Sequence, residues 1–416
     1  MMRRRMMTAR SVYPRNSAVE DGRLLIGGCD VVDLAREFGT PAYVVAEDDL
    51  REQARAFKAA LADAHEGPGE IVFASKAFPA SAVLRLFAEE GLGVDVASGG
   101  ELHLALKAGF DPAKIVLHGN AKSEAELTAA VEAGVGLIVL DGGDPERLER
   151  IVPAGRRQRC LVRVIPGVEA DTHEHIMTGH DASKFGYPPS VAAEIIGRSW
   201  ERLEIAGLHF HLGSQIFDGS PFHAAVGTLA GLGEFGAYDL GGGMAVGYTR
   251  HDRPPEPAEW VGAIAEIAHD LLGPGKTLIL EPGRALVANA GVTLYSVENV
   301  KQRFVAVDGG MSDNLRPMLY GAVYEADVAD RMGDGERYVL VGKHCESTDV
   351  VVQGATLRDP KPGDVLVTPV TGAYGHAMAN NYNGVPRPPV IFCKDGDARL
   401  VVRRETYEDL TSRDVA

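Results

Sequence analysis

The sequence is short of cysteine. Four cysteines stand in 416 residues, at Cys29, Cys160, Cys345 and Cys393, far apart and with no Cys-x-x-Cys pair. That spacing argues against structural zinc and against a disulfide framework. Positive charge is also scarce. The formal net charge is −16, and no basic patch is large enough to follow a nucleic-acid backbone, so nucleic-acid partners are not expected. The Arg-Arg-Arg at 3–5 is too short to change this. Residues 1–20 carry little pattern and read as a poorly ordered start. No apolar run reaches membrane-spanning length, and no secretory core follows the arginines. The cytoplasm is therefore the expected compartment. A Gly-x-Gly-x-x-Gly fingerprint after the first strand is missing too, which counts against an open doubly wound sheet.

What is present is ample apolar material. Hydrophobic residues make up 45% of the chain, enough for a large core and two domains. Early on there is a short strand at 23–26, a helix at 31–38 and the turn Gly39-Thr40-Pro41. Asp49, with Glu52 three residues on, reads as the N-cap of a helix running to about 63. From residue 71 a rhythm sets in. β-rich runs at 71–75, 93–97, 115–118, 137–140, 160–165, 205–211, 237–240 and 277–280 alternate with helix-period stretches. Eight such units predict a closed (β/α)8 barrel of the TIM type. After about 290 the runs become short and are separated by Gly, Pro and Asp. They predict a mostly antiparallel β-sheet domain. The expected division is a barrel over 42–289, and a β domain made of 290–416 with 1–41 added, the strand at 23–26 joining its sheet.

A barrel keeps its chemistry at the C-terminal ends of its strands. Read in order, those ends are Lys76, Asp95, His118, Asp141, Arg163, His209 with His211, Gly241–Gly243 and Glu281. A lysine ending a buried strand is costly unless it is used, and desolvation makes its amine nucleophilic. Taken alone, Lys76 is more simply a strand-end lysine that snorkels to solvent. The other strand ends reverse that preference. Gly241, Gly242 and Gly243 clear side chains from a place where backbone N–H groups could meet an anion, and Ser214 could add a hydroxyl. One of His209 and His211 could lie flat on an aromatic cofactor. A metal there is disfavoured because no carboxylate is spaced to complete the site. His173, His175 and His180 read as loop histidines. Glu281 could pair with a protonated ring nitrogen, which turns a pyridine ring into an electron sink. These are the parts of a pyridoxal phosphate site.

Longer motifs extend the pattern: FASKA at 73–77, GVDVASGGEL at 93–102, HGNAKS at 118–123, SKFG at 183–186 and HFHLGSQ at 209–215. LGGG at 240–243, EPGR at 281–284, VDGGMSDNLRPMLYGA at 307–322, KHCES at 343–347, TGAYGHAMANNYN at 371–383 and RRETYEDL at 403–410 complete it. With these the chain resembles the barrel-type (fold III) pyridoxal phosphate decarboxylases, and within them the branch that converts meso-2,6-diaminopimelate to L-lysine and CO2. The resemblance implies that Lys76 forms the Schiff base and that His211 stacks on the ring. It implies that Gly243, Glu281, Pro282, Gly283 and Arg284 hold the cofactor, with Ser214, Gly241 and Gly242 near its phosphate. Arg284, Arg316 and Tyr320 would bind substrate. Cys345 would donate a proton, with Glu346 on the substrate and Tyr374 near both substrate and cofactor. A homodimer is implied, with the Cys345 loop supplied across the interface.

The chemistry agrees with that branch. Its substrate carries a second amino-acid head, which asks for cations toward a carboxylate (Arg284, Arg316) and an anion toward an ammonium (Glu346). Diamine-forming relatives need no arginine there, and Glu281 separates the chain from alanine racemase. Thr348, Val385 and Met244–Tyr248 depart from the family pattern and bear on substrate range. The alternatives are a decarboxylase of a related amino acid in specialised metabolism and a cofactor-binding homologue without turnover.

Overall fold

A computed structural model describes residues 12–168 and 183–415, together with the backbone of 5–6. The histidines at 173, 175 and 180 and the arginines at 3 and 4 lie outside the described residues. The chain divides into two compact units. One holds Gln53–Ala245 and Pro254–Ala285; the other holds the described residues up to Glu52, Val246–Arg253 and those from Leu286 on.

The first unit is the barrel. Its strands are Gly69–Ala74, Gly93–Val96, Ile115–Leu117, Leu137–Leu140, Gln158–Arg163, Leu203–His209, Ala237–Asp239 and Thr277–Leu280. Each pairs in parallel with the next, and the eighth closes on the first, Leu280 opposite Ile71. Strands covered on both faces must be apolar nearly throughout, and all four residues of Leu137–Leu140 are buried. Val72, Val116, Leu137, Val139, Leu161, Ala237 and Ile279 join in one buried cluster. The connecting helices begin and end on local signals. Ser123 and Glu126 form a capping box at the start of Glu124–Ala133, and Gly134 ends it at φ 78°. A glycine bears that left-handed conformation without a Cβ penalty.

The second unit is a mixed, mostly antiparallel sheet. Gly291–Lys301 is its central long strand, flanked by Phe304–Val307, Val365–Pro369 and Ala42–Ala46. Two pairings are parallel: Phe304–Val307 with Glu336–Val341, and Val390–Lys394 with Ala42–Ala46. Ala42–Ala46 was expected at the start of the barrel. It is instead a sheet strand with all five residues buried. A run buried on both faces shows no alternation, so periodicity cannot say which sheet it serves.

Three other expectations are corrected here. Arg23–Ile26 does not join the main sheet but pairs with Ser17–Glu20 and Cys29–Asp30 in a separate four-stranded sheet. The reason is local. Asp21-Gly22 and Gly27-Gly28 all have positive φ, the signature of two-residue hairpin turns that return the strand to its neighbour. The described part of the first twenty residues is ordered by the same sheet, and Tyr13 is buried with its hydroxyl donating to Asp327 at 2.6 Å. Asp49 is not an N-cap. The helix begins at Glu47 and runs to Ala64, and the Asp49 carboxylate accepts from the backbone and side chain of Asn16 at 3.0 and 2.8 Å. Among the described residues no helix is long and apolar enough to cross a membrane.

Candidate active site

The strand ends of the barrel bring an acid–base cluster together. Glu281 follows the eighth strand, and its backbone N–H donates to Gly241 O at 2.9 Å. Its side chain is buried, with His118 Nε2 2.6 Å from Oε1 and His209 Nε2 3.5 Å from Oε2. Burial alone would raise the Glu281 carboxyl. The two imidazoles reverse that and hold it well below its usual range. Asp239, at the end of the seventh strand, goes the other way. Burial first, and then the Glu281 charge, push it well up. Two adjacent buried carboxyls thus carry one negative charge, on Glu281. His209 is fully buried and brought down to about 3, so at neutral pH it is an uncharged partner. His118, His209, Asp239 and Glu281 place donor atoms within 4.8 Å of one another. The sequence reading saw no carboxylate spaced to complete a metal site at His209; the fold supplies two. Of the four, His209 Nδ1 and Nε2 and Asp239 Oδ2 are buried without a hydrogen-bond partner among the described residues.

Lys76 needs a correction. The first strand ends at Ala74, and Lys76 stands on the following 3-10 turn Ser75–Ala77, exposed. Its charge reaches Asp95 and His211 and acts to lower the pKa of both. Asp95, 4% exposed, is pushed up to about 6, chiefly by burial.

His211 lies just past the sixth strand. Its Nδ1 accepts from the Gly242 N–H at 3.3 Å, which leaves the ring proton on Nε2. Burial first, and then the Lys76 charge, hold its pKa well down, so the ring is neutral, as a stacking imidazole should be. The three glycines are required by close approach. A Cβ on Gly242 would sit 2.1 Å from Glu281 O, and one on Gly243 2.6 Å from Gly213 O. Their amides are not all turned to an anion, however. Gly241 N–H donates to Asp239 Oδ1 at 2.9 Å and Gly242 N–H to His211; Gly243 N–H has no protein partner among the described residues. Arg284 Nε and Nη2 each donate to Ser214 Oγ at 3.1 Å. Pro282 O accepts from Ala74 N, and a Cβ on Gly283 would meet the Ala74 methyl at 3.0 Å. The turn after the eighth strand is thereby fixed against the strand that leads to Lys76.

The sheet unit carries the other expected residues. Arg316 opens the short helix Arg316–Tyr320 and is buried, with Tyr320 at the helix end. Its Cζ lies 5.9 Å from the Tyr374 ring centroid. Tyr374 holds φ +64° as it enters the helix Gly375–Met378. Cys345 and Glu346 are exposed on the 342–349 loop. Asp349 pins that loop: its carboxylate accepts from His344 Nδ1 at 2.7 Å, His344 N at 3.0 Å and Met311 N at 2.8 Å. Cys345 N donates to Asn383 Oδ1 at 2.9 Å. Among the described residues no hydrogen bond joins Cys345 or Glu346 to Arg316, Tyr320 or Tyr374.

Asp239 was missed by sequence reasoning. A carboxylate inside an apolar strand run that leads to three glycines was the available signal. His118 and Asp95 were noted as strand ends without a role.

Residues 47–288 match the family described as pyridoxal-dependent decarboxylase, pyridoxal binding domain, and the chain belongs to that family. It is an enzyme of the pyridoxal phosphate-dependent, barrel-type class. Beyond the class, it is 43% identical to a diaminopimelate decarboxylase of Mycobacterium tuberculosis, over 98% of each chain. It is 42% identical to the enzyme of that name from Bacillus subtilis, over 95% of this chain and 96% of that one. A crystal structure of diaminopimelate decarboxylase from Helicobacter pylori complexed with L-lysine superposes with a TM-score of 0.85 at 31% identity, covering 91% of this chain and 98% of that one.

Proposed function

We propose that the chain decarboxylates meso-2,6-diaminopimelate to L-lysine and CO2, a step of lysine biosynthesis. One observation carries the choice of substrate: the 43% identity with a diaminopimelate decarboxylase spans 98% of both chains. The solved relative that holds L-lysine, the expected product, supports it.

The residues fit pyridoxal phosphate. Bound among them, the cofactor supplies a sink for the electron pair left when CO2 departs. Lys76 would offer the amine for its aldehyde. The ionised Glu281 would keep a proton on the ring nitrogen, and the neutral His211 would face the ring. Gly243 N–H, Ser214 and Arg284 would serve the phosphate end; Gly241, Gly242, Pro282 and Gly283 would shape the backbone around it. Arg284, Arg316, Tyr320 and Tyr374 would position substrate, and Glu346 would meet its distal ammonium. Cys345 would return a proton to the α-carbon.

The same proposal includes a cytoplasmic homodimer. Cys345 and Glu346 are exposed in the single chain, which suits a loop that completes a partner's site. Incubating cofactor-saturated protein with meso-2,6-diaminopimelate should release CO2 and L-lysine in equal amounts. No turnover by fully loaded protein removes the proposal, and preferential turnover of ornithine or lysine would redirect it.

A further inference from the structure

Arg316 is a buried cation. It is 6% exposed, and among the described residues no carboxylate lies within ion-pair distance of it. Its partners are phenols. Nη1 donates to Tyr248 Oη and to Tyr324 Oη, both at 2.7 Å. The rings surround it as well: Cζ is 4.9 Å from the Tyr248 centroid, 5.8 Å from Tyr324 and 5.9 Å from Tyr374. Tyr248 and Tyr324 pack edge to face at 5.2 Å and 80°, so each fixes the other.

Carboxylates were within the chain's reach. The residue after Tyr324 is Glu325, and two further on is Asp327; both pair with Arg250, which follows Tyr248 by two. The same two segments therefore neutralise Arg250 with acids and present only hydroxyls to Arg316. Two neutral acceptors and three ring faces keep the guanidinium in place without cancelling its charge. Nε and Nη2 have no acceptor among the described residues. Burial works against the Arg316 charge, and the tyrosines outweigh it, so it stays protonated.

We infer that Tyr248 and Tyr324 are positioning residues that hold Arg316 unneutralised for the carboxylate at the substrate's far end, and so set the preference for a substrate with two amino-acid heads. This rests on the proposed substrate. Because the product is the L isomer, the carboxyl group lost is on the D carbon. The head that Arg316 meets is therefore the L one, which L-lysine keeps and cadaverine lacks. A carboxylate in place of either tyrosine would satisfy Arg316 and repel that ligand.

The test uses cofactor-saturated wild type, Tyr248→Phe, Tyr324→Phe and Tyr324→Glu. Binding of L-lysine and of cadaverine is measured by calorimetry, beside KM and kcat for meso-2,6-diaminopimelate. Losing one hydrogen bond to the charged group should weaken L-lysine roughly 10- to 100-fold in each Phe variant. Cadaverine affinity should be unchanged, and KM should rise with L-lysine's loss while kcat stays within about threefold. Tyr324→Glu should lose L-lysine binding and keep cadaverine binding. Equal L-lysine affinity in wild type and both Phe variants overturns the inference. So does a parallel loss of cadaverine, which marks a merely structural role. If wild type does not turn over meso-2,6-diaminopimelate, the proposed function fails. Tyrosine-dependent L-lysine binding would then uphold the cradle, and a wild type that does not bind L-lysine would refute it.

Discussion

Replacing Asp95 by asparagine tests the electrostatics of the barrel mouth. Asp95 lies on the second barrel strand, Gly93–Val96, 4% exposed, with His118 Nε2 3.9 Å from its Oδ1. Burial raises its carboxyl from the ordinary 3.8 to about 6, with Glu281 adding to the rise and His118 and Lys76 opposing it. A rise of about 2.2 corresponds to about 3 kcal/mol at 1.36 kcal/mol per pH unit. Its direction follows from proton binding. Below pH 3.8 the folded and unfolded chains both hold the proton, and folding carries no penalty from this group. Between 3.8 and about 6 the unfolded chain has released a proton that the folded one keeps, so stability falls as the pH rises. Above about 6 the loss is complete and constant. Asparagine cannot titrate. The stability of Asp95→Asn minus that of wild type should therefore climb by about 3 kcal/mol between about pH 4 and pH 7, then level off. Urea unfolding of both proteins without cofactor, at closely spaced pH, gives that difference directly. A fixed cost of the amide shifts the whole curve but not its shape. A difference independent of pH would refute the account.

Three further outcomes follow from the same structure. Lys76→Ala should abolish covalent retention of the cofactor after borohydride reduction, read by mass spectrometry of the 71–80 peptide; labelling elsewhere on the chain would reassign the lysine. Lys122 and Asp144 form a buried pair at 2.6 Å, each side chain 1% exposed, so Lys122→Met should cost about 3–5 kcal/mol by leaving Asp144 with the more exposed Arg147 as its cation and the Asp141 N–H as a neutral donor. Adding Asp144→Leu should cost less than the two singles together, and strict additivity in denaturant melts would deny the coupling. Mixed dimers of Lys76→Ala and Cys345→Ala subunits should regain part of the activity that each parent lacks; no regain, with mixed dimers confirmed by mass, would count against a shared site.

The barrel was legible because its strands are apolar along most of their length and several connecting helices are bounded by their own signals. Ser123, Glu126 and Gly134 mark one helix without help from the rest of the chain. The strand ends were legible too, since Lys76, His118, His211 and Glu281 interrupt apolar runs. What could not be read depends on pairings distant in sequence or on a turn's handedness. Ala42–Ala46 is as apolar as any barrel strand, and only its partners assign it to the sheet. Arg23–Ile26 was misassigned although Asp21-Gly22 and Gly27-Gly28 spelled two tight hairpins. Asp49 had the right neighbours for a cap, but its carboxylate serves Asn16, thirty-three residues upstream. Lys76 was read as the last residue of a buried strand because FASKA shows no break before it; the strand ends at Ala74, and a 3-10 turn over Ser75–Ala77 carries the lysine. Arg316 and Tyr248 are separated by 68 residues, and nothing near either one announces the contact.

The two units treat buried charge by one rule applied to opposite signs. In the barrel, Glu281 and Asp239 could not both ionise side by side, and the proton goes to Asp239, so a single carboxylate remains with imidazoles against it. One of those imidazoles, His209, is neutral at physiological pH, so the negative charge is steadied by it rather than cancelled. In the sheet unit, Arg316 is steadied by phenols that cannot cancel a cation. Arg250, by contrast, pairs with both Glu325 and Asp327. Leaving Arg316 short of a full counter-charge costs folding energy that an ionic ligand recovers on binding. Lys122, by contrast, has Asp144, and that buried pair has no charge to spare for a ligand.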